Sequence, residues 1–384
     1  MDAAQKRAIK RAARIVLGML PGKGSAHALA LEDSAPRRIL LLNGAHIGDV
    51  VISTSILPVL RSAFPNAEIG YVLGSWSKMV LADHPDVNHL HVVDHWFLNR
   101  ATIPLHSKLS QYRRTRSQAL KDIKSLGYDL SLCLHPFYSD LLRLSSDAGI
   151  PLRAAFDESI FSAHAHITSV YPDNLFITQG DCLSELIRAL GIDPAHLKKR
   201  KATLAPDTEQ SRNEVCNLLQ VSDLAQSRHS VIHVGSGAPA RELSPHVWRE
   251  VASKLSKDHT VILTGKGPRD EANIKIITDG LSNCIDAAGK LSWRGFVTAV
   301  RHADVLYGVE SMAGHVAAAV ETRSVLVYAG TAGPARWRPE SKLSTIWTNH
   351  VRCAPCGLIQ GCEEMSCIRG ITAEDILNPL GPVY

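Results

Sequence analysis

Short apolar runs alternate with longer helical stretches through most of this 384-residue chain, and this pattern constrains its fold more than any other feature. The first series begins at residue 37 with ILLL and continues through EIGYVLG, HLHVVD and YDLSLCL. Between these predicted strands we expect helices that start near Asp49, over residues 76–82 and over the basic stretch 109–126, with further helices to about residue 190. Strands that alternate with helices predict a parallel sheet covered on both faces.

The same alternation restarts in the second half of the chain. A polar segment, residues 194–228, contains one predicted helix over 207–219 and marks a domain boundary. The runs SVIHVGS, TVILTG, CIDAAG, DVLYGV and SVLVYAG then follow as predicted strands, with helices between them. We therefore predict an α/β fold of two Rossmann-like doubly wound domains, residues 37–205 and 206–350, facing each other across a central cleft.

Composition narrows the classes of protein that fit this pattern. The length suits two to three domains, and 45% hydrophobic residues are enough for two cores. A net charge of +5 is too small to indicate a nucleic-acid partner, although it tolerates an anionic substrate or membrane surface. No apolar run approaches the ~20 residues that cross a bilayer. These properties predict a cytoplasmic protein.

Residues 1–36 precede the alternating pattern and are predicted to form a basic helix and a linker. Five cationic side chains stand among alanines and aliphatic residues there: Lys6, Arg7, Lys10, Arg11 and Arg14. One interpretation is a helix that rests on the anionic inner face of the cytoplasmic membrane. The other is a solvated or frayed leader, and the sequence does not choose between them.

The first strand runs into a turn with Gly44 and Gly48, followed directly by Asp49 at the start of an apolar helix. Parallel sheets bind ligands at the carboxyl ends of their strands, so Asp49 is a candidate reactive group. His46 occupies the place of the second glycine of a dinucleotide fingerprint, and Glu68 precedes the second strand instead of following it. A nicotinamide-dependent dehydrogenase is therefore disfavoured. The alternative role of Asp49 is to accept hydrogen bonds from free N–H groups at the helix start.

Three strand-to-helix turns in the second half carry residues suited to a nucleotide. An arginine can pair with phosphate oxygens, a helix start with free N–H groups can hold a pyrophosphate, and a carboxylate can bind a sugar hydroxyl. The candidates are Ser236, Arg241, Thr264, Gly265, Glu310, Ser311, Gly314 and His315. The alternatives are a surface arginine, a tight strand-to-helix connection and a packed or capping histidine.

Four of the eight cysteines fall close together near the C-terminus, within the segment 351–384: Cys353, Cys356, Cys362 and Cys367. Four cysteines, of which the first two form a CxxC motif, can bind zinc or iron in a tetrahedral arrangement. The later gaps are short for a two-knuckle zinc pattern, so free thiols and disulfides stay as alternatives.

Two long segments resemble glycosyltransferase family 9, the heptosyltransferase family of bacterial lipopolysaccharide synthesis. The first is RILLLNGAHIGDVVISTSILPVLRSAFPNAEI, which is similar to the family's opening strand, its GD-containing turn and its LRxxFPxAxI stretch. The second is DAAGKLSWRGFVTAVRHADVLYGVESMAGHVAAAVETRSVLVYAGTAGPARWRP, which resembles the donor-binding block. The resemblance implies a GT-B fold with an acceptor-side first domain and a donor-binding second domain.

The resemblance also implies roles for individual residues. Asp49 matches the family's catalytic base, Arg241 the cation against the donor diphosphate, and Thr331 the GPT turn, while Glu310, Ser311 and His315 fall on its D-[ST]-G-x-x-H segment. The chain departs from the family where Glu310 replaces aspartate, Met312 replaces glycine and residues 320–322 replace the usual LG turn. Gly314 is expected to supply the lost backbone freedom one turn later.

The implied activity is inverting transfer of a sugar, foremost a heptose from ADP-heptose, onto a lipopolysaccharide-type or other cell-surface glycan. No DxD-type carboxylate pair is present, so no catalytic metal is required. The partners would be a nucleotide-diphospho-sugar, a lipid-linked glycan or a protein acceptor, and an anionic membrane surface. The possibility of a protein acceptor follows from the cysteines, because some iron-holding members that modify proteins carry a similar cluster.

A non-catalytic nucleotide- or glycan-binding protein also fits this sequence, as does a sugar-nucleotide epimerase of the same architecture.

Overall fold

The computed structural model describes residues 35–136, 140–157, 161–172, 176–331, 333–358 and 360–379. The predicted basic N-terminal helix lies outside these residues. The chain divides into two compact units, of which the second contains everything from Pro206 onward together with residues 176–178. Within the described ranges, we find no helix with the length and apolar character needed to span a bilayer.

The first unit contains six strands and seven α-helices among its described residues. The strands are β1 (Arg38–Leu42), β2 (Glu68–Leu73), β3 (His89–Val92), β4 (Leu130–Cys133), β5 (Leu152–Phe156) and β6 (Ile167–Ser169). The helices are α1 (Ile47–Ser53), α2 (Leu57–Ala63), α3 (Lys78–Leu81), α4 (Leu105–Leu126), α5 (Asp140–Asp147), α6 (Gln179–Ala189) and α7 (Pro194–Leu197). Short 3₁₀ turns occupy Thr54–Ile56, Ser75–Ser77 and Ser162–His164.

The second unit repeats this composition, with eight described α-helices. Its strands are β7 (His229–His233), β8 (Thr260–Thr264), β9 (Cys284–Asp286), β10 (Val305–Val309), β11 (Ser324–Tyr328) and β12 (Ser344–Thr348). Its helices are α8 (Glu209–Leu219), α9 (Pro245–Leu255), α10 (Pro268–Thr278), α11 (Trp293–Arg301), α12 (Met312–Ala319), α13 (Pro334–Trp337), α14 (Ser366–Arg369) and α15 (Ala373–Leu377). The 3₁₀ turns here are Leu224–Gln226 and Pro239–Arg241.

Both units build the same sheet. The strand orders are β3-β2-β1-β4-β5-β6 and β12-β11-β10-β7-β8-β9, and the second, read from β9, repeats the first. All strand pairs are parallel, with β1 between β2 and β4 and with β7 between β8 and β10. The predicted pair of Rossmann-like doubly wound domains is therefore confirmed. In each sheet the order reverses between the first and the fourth strand, β1 and β4 in the first unit and β7 and β10 in the second.

The central strands are continuous apolar runs because helices cover both faces of each sheet. Ile39 to Leu42 of β1 are fully buried, as are the inner residues of β7 and β8. In the second unit this core extends to the C-terminal segment, where Cys367, Ile368, Ile371 and Ile376 pack with Trp248 of α9. The C-terminal segment is thus part of the second unit's core.

Three strands depart from the sequence prediction, which placed helices after residue 134 and ended the second series at SVLVYAG. The strand β5 (LRAAF) contains two alanines and an arginine, and β6 (ITS) has only three residues. The strand β12 (STIWT) consists mostly of strand-favouring residues and was missed at the sheet edge, after the point where the predicted series ended. The predicted basic helix is also longer than expected, since α4 begins at Leu105 and ends against Gly127 in the left-handed conformation (φ 66°).

Candidate active site

The candidate residues of each unit lie at the point where its strand order reverses. Asp49 follows β1, and the segment after the neighbouring β4 carries His135. In the second unit Arg241 follows β7, and Glu310 follows the neighbouring β10. Open α/β sheets bind ligands at this switch point, outside the carboxyl ends of the strands. Each unit therefore presents a pair of polar side chains where a ligand is expected.

Asn43 shapes the loop that positions Asp49. Its buried side chain accepts a hydrogen bond from the Ala45 N–H (3.1 Å) and donates to the Asp49 carbonyl (3.1 Å). It also donates to the Ser53 hydroxyl (3.1 Å), so it ties the end of β1 to the far end of α1. The Trp76 indole N–H donates to the Ala45 carbonyl (2.8 Å). These bonds hold Asp49 in the first turn of α1.

The two carboxylate oxygens of Asp49 have different environments. Oδ2 accepts a hydrogen bond from the His46 backbone N–H (3.1 Å). This is the alternative role predicted from the sequence, in which Asp49 satisfies a free N–H group at the start of the helix. Oδ1 lies 3.9 Å from Nε2 of His135, and the Asp49 side chain is 21% exposed while that of His135 is 6% exposed. The helix-start role therefore occupies one oxygen and leaves the second beside a buried imidazole.

Burial sets the charge state of these groups. It raises the pKa of Asp49, against the lowering effects of His46 and of the backbone N–H groups. It lowers the pKa of His135 to about 4, and that of His46 also to about 4. Both imidazoles are therefore neutral at physiological pH. An aspartate with a raised pKa next to neutral imidazoles is suited to accept a proton.

The switch point of the second unit holds an ion pair. Nη1 of Arg241 lies 3.3 Å from Oε1 of Glu310, with the side chains 23% and 8% exposed. Tyr328, at the end of β11, is buried beside the pair and donates its hydroxyl to the Trp337 carbonyl (2.9 Å). Burial raises the pKa of Tyr328, so its phenol stays protonated.

Three buried polar atoms in this region have no hydrogen-bond partner among the described residues. They are Nε of Arg241, Oε2 of Glu310 and Oγ1 of Thr331. Buried polar groups in folded proteins are nearly always paired, and an unpaired one costs about 1–3 kcal/mol. Three of the sequence candidates thus offer one donor, one acceptor and one hydroxyl to a ligand.

The loops after β7 and β8 are closed by carboxylates. Asp270 accepts the Lys266 backbone N–H (2.9 Å), and a Cβ atom built at Gly235 would lie 2.2 Å from its Oδ2. A Cβ at Gly265 would likewise lie 2.7 Å from the Asp270 Cβ. Glu242 accepts the Ser236 N–H (3.1 Å) and pairs with Arg269 at 2.5 Å. Gly265 is therefore required by the close approach of Asp270, and the Ser236 N–H is already bonded.

The remaining candidates near α12 and β8 have mixed environments. Ser311 is the N-cap of α12 and accepts the Ala313 N–H at 3.4 Å. Burial lowers the pKa of His315 to about 4, so this imidazole is neutral. The Thr264 hydroxyl already bonds Nδ1 of His233 (3.0 Å), and Gly48 lies in the first turn of α1 in the first unit.

Gly314 does not provide the backbone freedom expected from the sequence. It lies inside α12 and is absent from the positive-φ glycines of the chain. A Cβ atom there would lie 2.5 Å from Cδ1 of Leu326 and 3.2 Å from Cγ of Pro339. The glycine is required by close packing of α12 on β11.

Glu310 is expected to make stability depend on pH. Burial raises the pKa of its carboxyl from 4.5 to about 7, although Arg241 lowers it. Between these values the folded protein holds a proton that the unfolded chain has lost, so stability falls as pH rises from 4.5 to about 7. The Glu310→Gln variant lacks this term. In urea titrations, the free energy of unfolding of the variant relative to that of the wild type should rise by about 3 kcal/mol across that pH interval and stay constant above it. Parallel stability curves would contradict the assignment.

The four C-terminal cysteines line one cavity of about 200 Å³, together with Gly330 and Thr331. The Cys356 N–H donates to the Gly330 carbonyl (3.1 Å), and the Gly357 N–H donates to the Thr331 carbonyl (2.9 Å). All four are free thiols. Within the described ranges no group of three or more histidine, cysteine or acidic side chains is placed to hold an ion. The cysteines are thus gathered but not at ligand distances.

Sequence reasoning missed His135, Asn43 and Tyr328. Asn43 directly follows β1, and His135 lies two residues beyond the end of β4. Tyr328 is the last residue of β11. Their positions at strand ends were the available signal. Which strands are neighbours is not readable from the alternation, so the proximity of His135 to Asp49 and of Tyr328 to Glu310 was not predictable.

The model of glycosyltransferase family 9 (heptosyltransferase) matches residues 189–365. No curated protein matches the chain. Among solved structures, a family 9 glycosyl transferase from Veillonella parvula is similar with a TM-score of 0.68 at 20% identity, over 81% of this chain and 85% of that one. The ADP-heptose LPS heptosyltransferase II of E. coli is similar with a TM-score of 0.69 at 18% identity, over 89% and 97%.

A more distant similarity connects the chain to TibC of enterotoxigenic E. coli, a dodecameric iron-containing heptosyltransferase solved with ADP-D-β-D-heptose. For the complex with ADP-D-β-D-heptose the TM-score is 0.50 at 14% identity, over 89% of this chain and 74% of that one. At such identities the likeness of the solved structures concerns the fold. The GT-B-type α/β fold that the sequence implied is thereby confirmed.

Proposed function

We propose that this chain is an inverting enzyme of glycosyltransferase family 9 that transfers a heptose from ADP-heptose, because the family model matches residues 189–365 and the fold is that of an ADP-heptose heptosyltransferase. The acceptor would be a lipopolysaccharide-type or other cell-surface glycan, reached from the cytoplasmic side of the membrane. The observation that carries the proposal is the set of unpartnered buried atoms on Arg241, Glu310 and Thr331 at and beside the switch point of the second unit. A diphosphate and a sugar offer the acceptors and hydroxyls that these atoms lack.

In this reaction Asp49 is the general base. Its Oδ1 accepts the proton of the acceptor hydroxyl as the hydroxyl oxygen attacks the anomeric carbon. The new carbon–oxygen bond forms on the face opposite to the bond that breaks, so the configuration inverts. The electron pair of the broken bond leaves with ADP. The raised pKa of Asp49 supports this role, because a base with a pKa nearer to the operating pH transfers protons more efficiently.

His135 is proposed to hold the acceptor oxygen beside this base. The 3.9 Å between its Nε2 and Oδ1 of Asp49 is too long for a hydrogen bond. One oxygen atom at ordinary hydrogen-bond distance from both groups fits this separation. A neutral His135 with hydrogen on Nε2 donates to that oxygen, while the hydroxyl donates to Asp49. The pair therefore orients a hydroxyl and accepts its proton.

Departure of ADP places negative charge on the diphosphate. The Arg241 guanidinium and the N–H groups at the start of α12, near Ser311, are proposed to stabilise that charge. Glu310 would lose part of its pairing with Arg241 and accept a hydroxyl of the sugar or ribose. No catalytic metal enters this scheme, because fixed cationic and N–H donors stabilise the leaving group.

A structural zinc or iron at Cys353, Cys356, Cys362 and Cys367 is proposed as a separate feature. Four thiols on one cavity are a ligand set that suits either metal, although their present spacing requires them to move together. Elemental analysis of purified protein should find close to one equivalent of zinc or iron, and the Cys356→Ser variant should lose it. Four thiols that react freely with a thiol reagent in metal-free, folded protein would contradict this.

The cysteine cavity also favours a second acceptor class. The iron-containing TibC is similar in fold, and a protein acceptor is the possibility that the cysteines suggested from the sequence. The donor chemistry proposed above is the same for a glycan and a protein acceptor, so only the acceptor assay separates them.

Calorimetric titration with ADP, UDP, GDP and CDP tests the donor assignment. The proposal predicts that ADP binds and that the other three bind at least tenfold more weakly. Preference for another nucleotide would keep the glycosyltransferase and overturn the heptose donor. No binding of any nucleotide would favour a glycan-binding protein without transferase activity.

A further inference from the structure

The connection between β3 and α4 displays large apolar side chains to solvent. Trp96, Phe97 and Ile103 of this loop and Leu105 at the start of α4 are 37%, 64%, 40% and 57% exposed. We call these four residues the apolar tip. Nine large hydrophobic side chains are exposed among the residues that the structure describes, and four of them lie in this stretch of ten. Single exposed apolar residues are ordinary, but a concentration of them marks an interaction site.

Polar residues of the same loop face inward and fix it to α4. The Gln111 amide donates to Asp94 Oδ2 (2.6 Å), and the Thr115 hydroxyl accepts the Asp94 N–H (3.0 Å). The Lys108 ammonium donates to the Asn99 carbonyl (2.7 Å). Polar contacts within the unit therefore hold this loop against α4, and the apolar tip is kept in place without being buried.

The exposed face of α4 is basic from Arg113 to Lys124. Arg113, Arg114, Lys121 and Lys124 are exposed and lie within an arc of about 100° on a helix of 22 residues, roughly 33 Å long. The only acidic residue of α4 is Asp122, whose carboxylate accepts the Gln118 amide (2.9 Å). Arg116 is used within the unit, because it pairs with Asp147 at 2.5 Å. We call the four exposed cations the basic face.

We infer that the apolar tip and the basic face together dock the first unit on an anionic membrane surface. Aromatic and aliphatic side chains enter the interfacial region of a bilayer, and lysines and arginines beside them are attracted by anionic headgroups. A neutral glycan would match neither the apolar side chains nor the positive charge. The inference deepens the proposed function and rests on it, since a lipid-linked acceptor has to be met at such a surface.

Vesicle sedimentation with the full-length chain tests the inference directly. The chain is expected to bind vesicles of phosphatidylglycerol and phosphatidylethanolamine, and to bind phosphatidylcholine vesicles at least tenfold more weakly. The double variant Phe97→Ser/Leu105→Ser should lower the partition coefficient at least about tenfold, because two large side chains no longer enter the interface. Arg113→Glu/Lys121→Glu should lower it by a similar factor and weaken its dependence on salt.

The matched control is Ile276→Ser/Leu343→Ser, which replaces two apolar residues of the second unit that are 43% and 44% exposed. It should bind vesicles like the wild type. ADP affinity, measured on every variant, separates this inference from the proposed function. Wild-type vesicle binding by both first-unit variants, or no binding of the full chain to anionic vesicles, would overturn the docking surface and leave the transferase proposal untouched.

Discussion

The Asp49→Asn variant is expected to lose about 10²- to 10⁴-fold in kcat while its affinity for ADP stays within about twofold of the wild type. Asparagine keeps an oxygen that can accept the His46 N–H, so the start of α1 is preserved. It cannot accept the proton of the acceptor hydroxyl. The effect should therefore fall on the chemical step, as measured by initial rates with saturating donor and acceptor.

Two companion variants separate catalysis from helix stability. Asp49→Ala removes the hydrogen bond from His46 as well, so it should add a loss of about 0.5–2 kcal/mol in stability to the same loss in rate. Asp193→Asn is the matched control, because Asp193 caps the start of α7 by accepting the Ala195 N–H at 2.7 Å. It should leave kcat unchanged. Wild-type turnover in Asp49→Asn would remove Asp49 from the reaction.

The Arg241→Met variant is expected to weaken ADP binding by about 10- to 10²-fold. Methionine keeps much of the side-chain length and removes both the charge and the unpartnered Nε donor. The change also leaves Glu310 buried without its opposite charge, which raises the pKa of Glu310 further and destabilises the protein above that pKa. Calorimetry for ADP and urea denaturation for stability measure the two effects.

A double variant separates the loss of ADP affinity from the loss of stability. Arg241→Met/Glu310→Gln removes the buried charge, so it should recover stability relative to Arg241→Met but recover no ADP affinity. Arg228→Met is the matched control, because Arg228 and Asp304 pair at 3.1 Å just before the same two strands, β7 and β10, at their opposite ends. It should change ADP affinity by less than twofold and stability by about 1 kcal/mol at most. Undiminished ADP affinity in Arg241→Met would exclude Arg241 from the diphosphate site.

Most of the fold was predictable because its central strands are buried on both faces. Runs such as ILLL in β1 and TVILT in β8 are continuous apolar segments bounded by turn residues, and such segments are recognisable without homologues. The strand β5 has the sequence LRAAF, in which two alanines and an arginine conceal a buried strand. Proline is favoured at the first position of a helix, and it opens α9 at Pro245 and α10 at Pro268.

The candidate site was predictable residue by residue but not as an arrangement. Asp49, Arg241 and Glu310 each follow a strand, and their positions together with the family resemblance made them candidates. Their partners depend on the strand order, which brings β4 beside β1 and β10 beside β7. The order of the strands in each sheet therefore determines that Asp49 lies beside His135 and that Arg241 lies beside Glu310. For the same reason the packing role of Gly314 against Leu326 could not be read from the chain.

The most direct test of the central claim is a transfer assay with ADP-heptose and a lipopolysaccharide acceptor that lacks its outer sugars. Wild-type protein is expected to release one ADP for each heptose gained by the acceptor, in a linkage of configuration opposite to that of the donor. The same preparation of Asp49→Asn should bind ADP but give no more than about a hundredth of this rate. Release of ADP without a heptosylated product, or a product with retained configuration, would contradict the account.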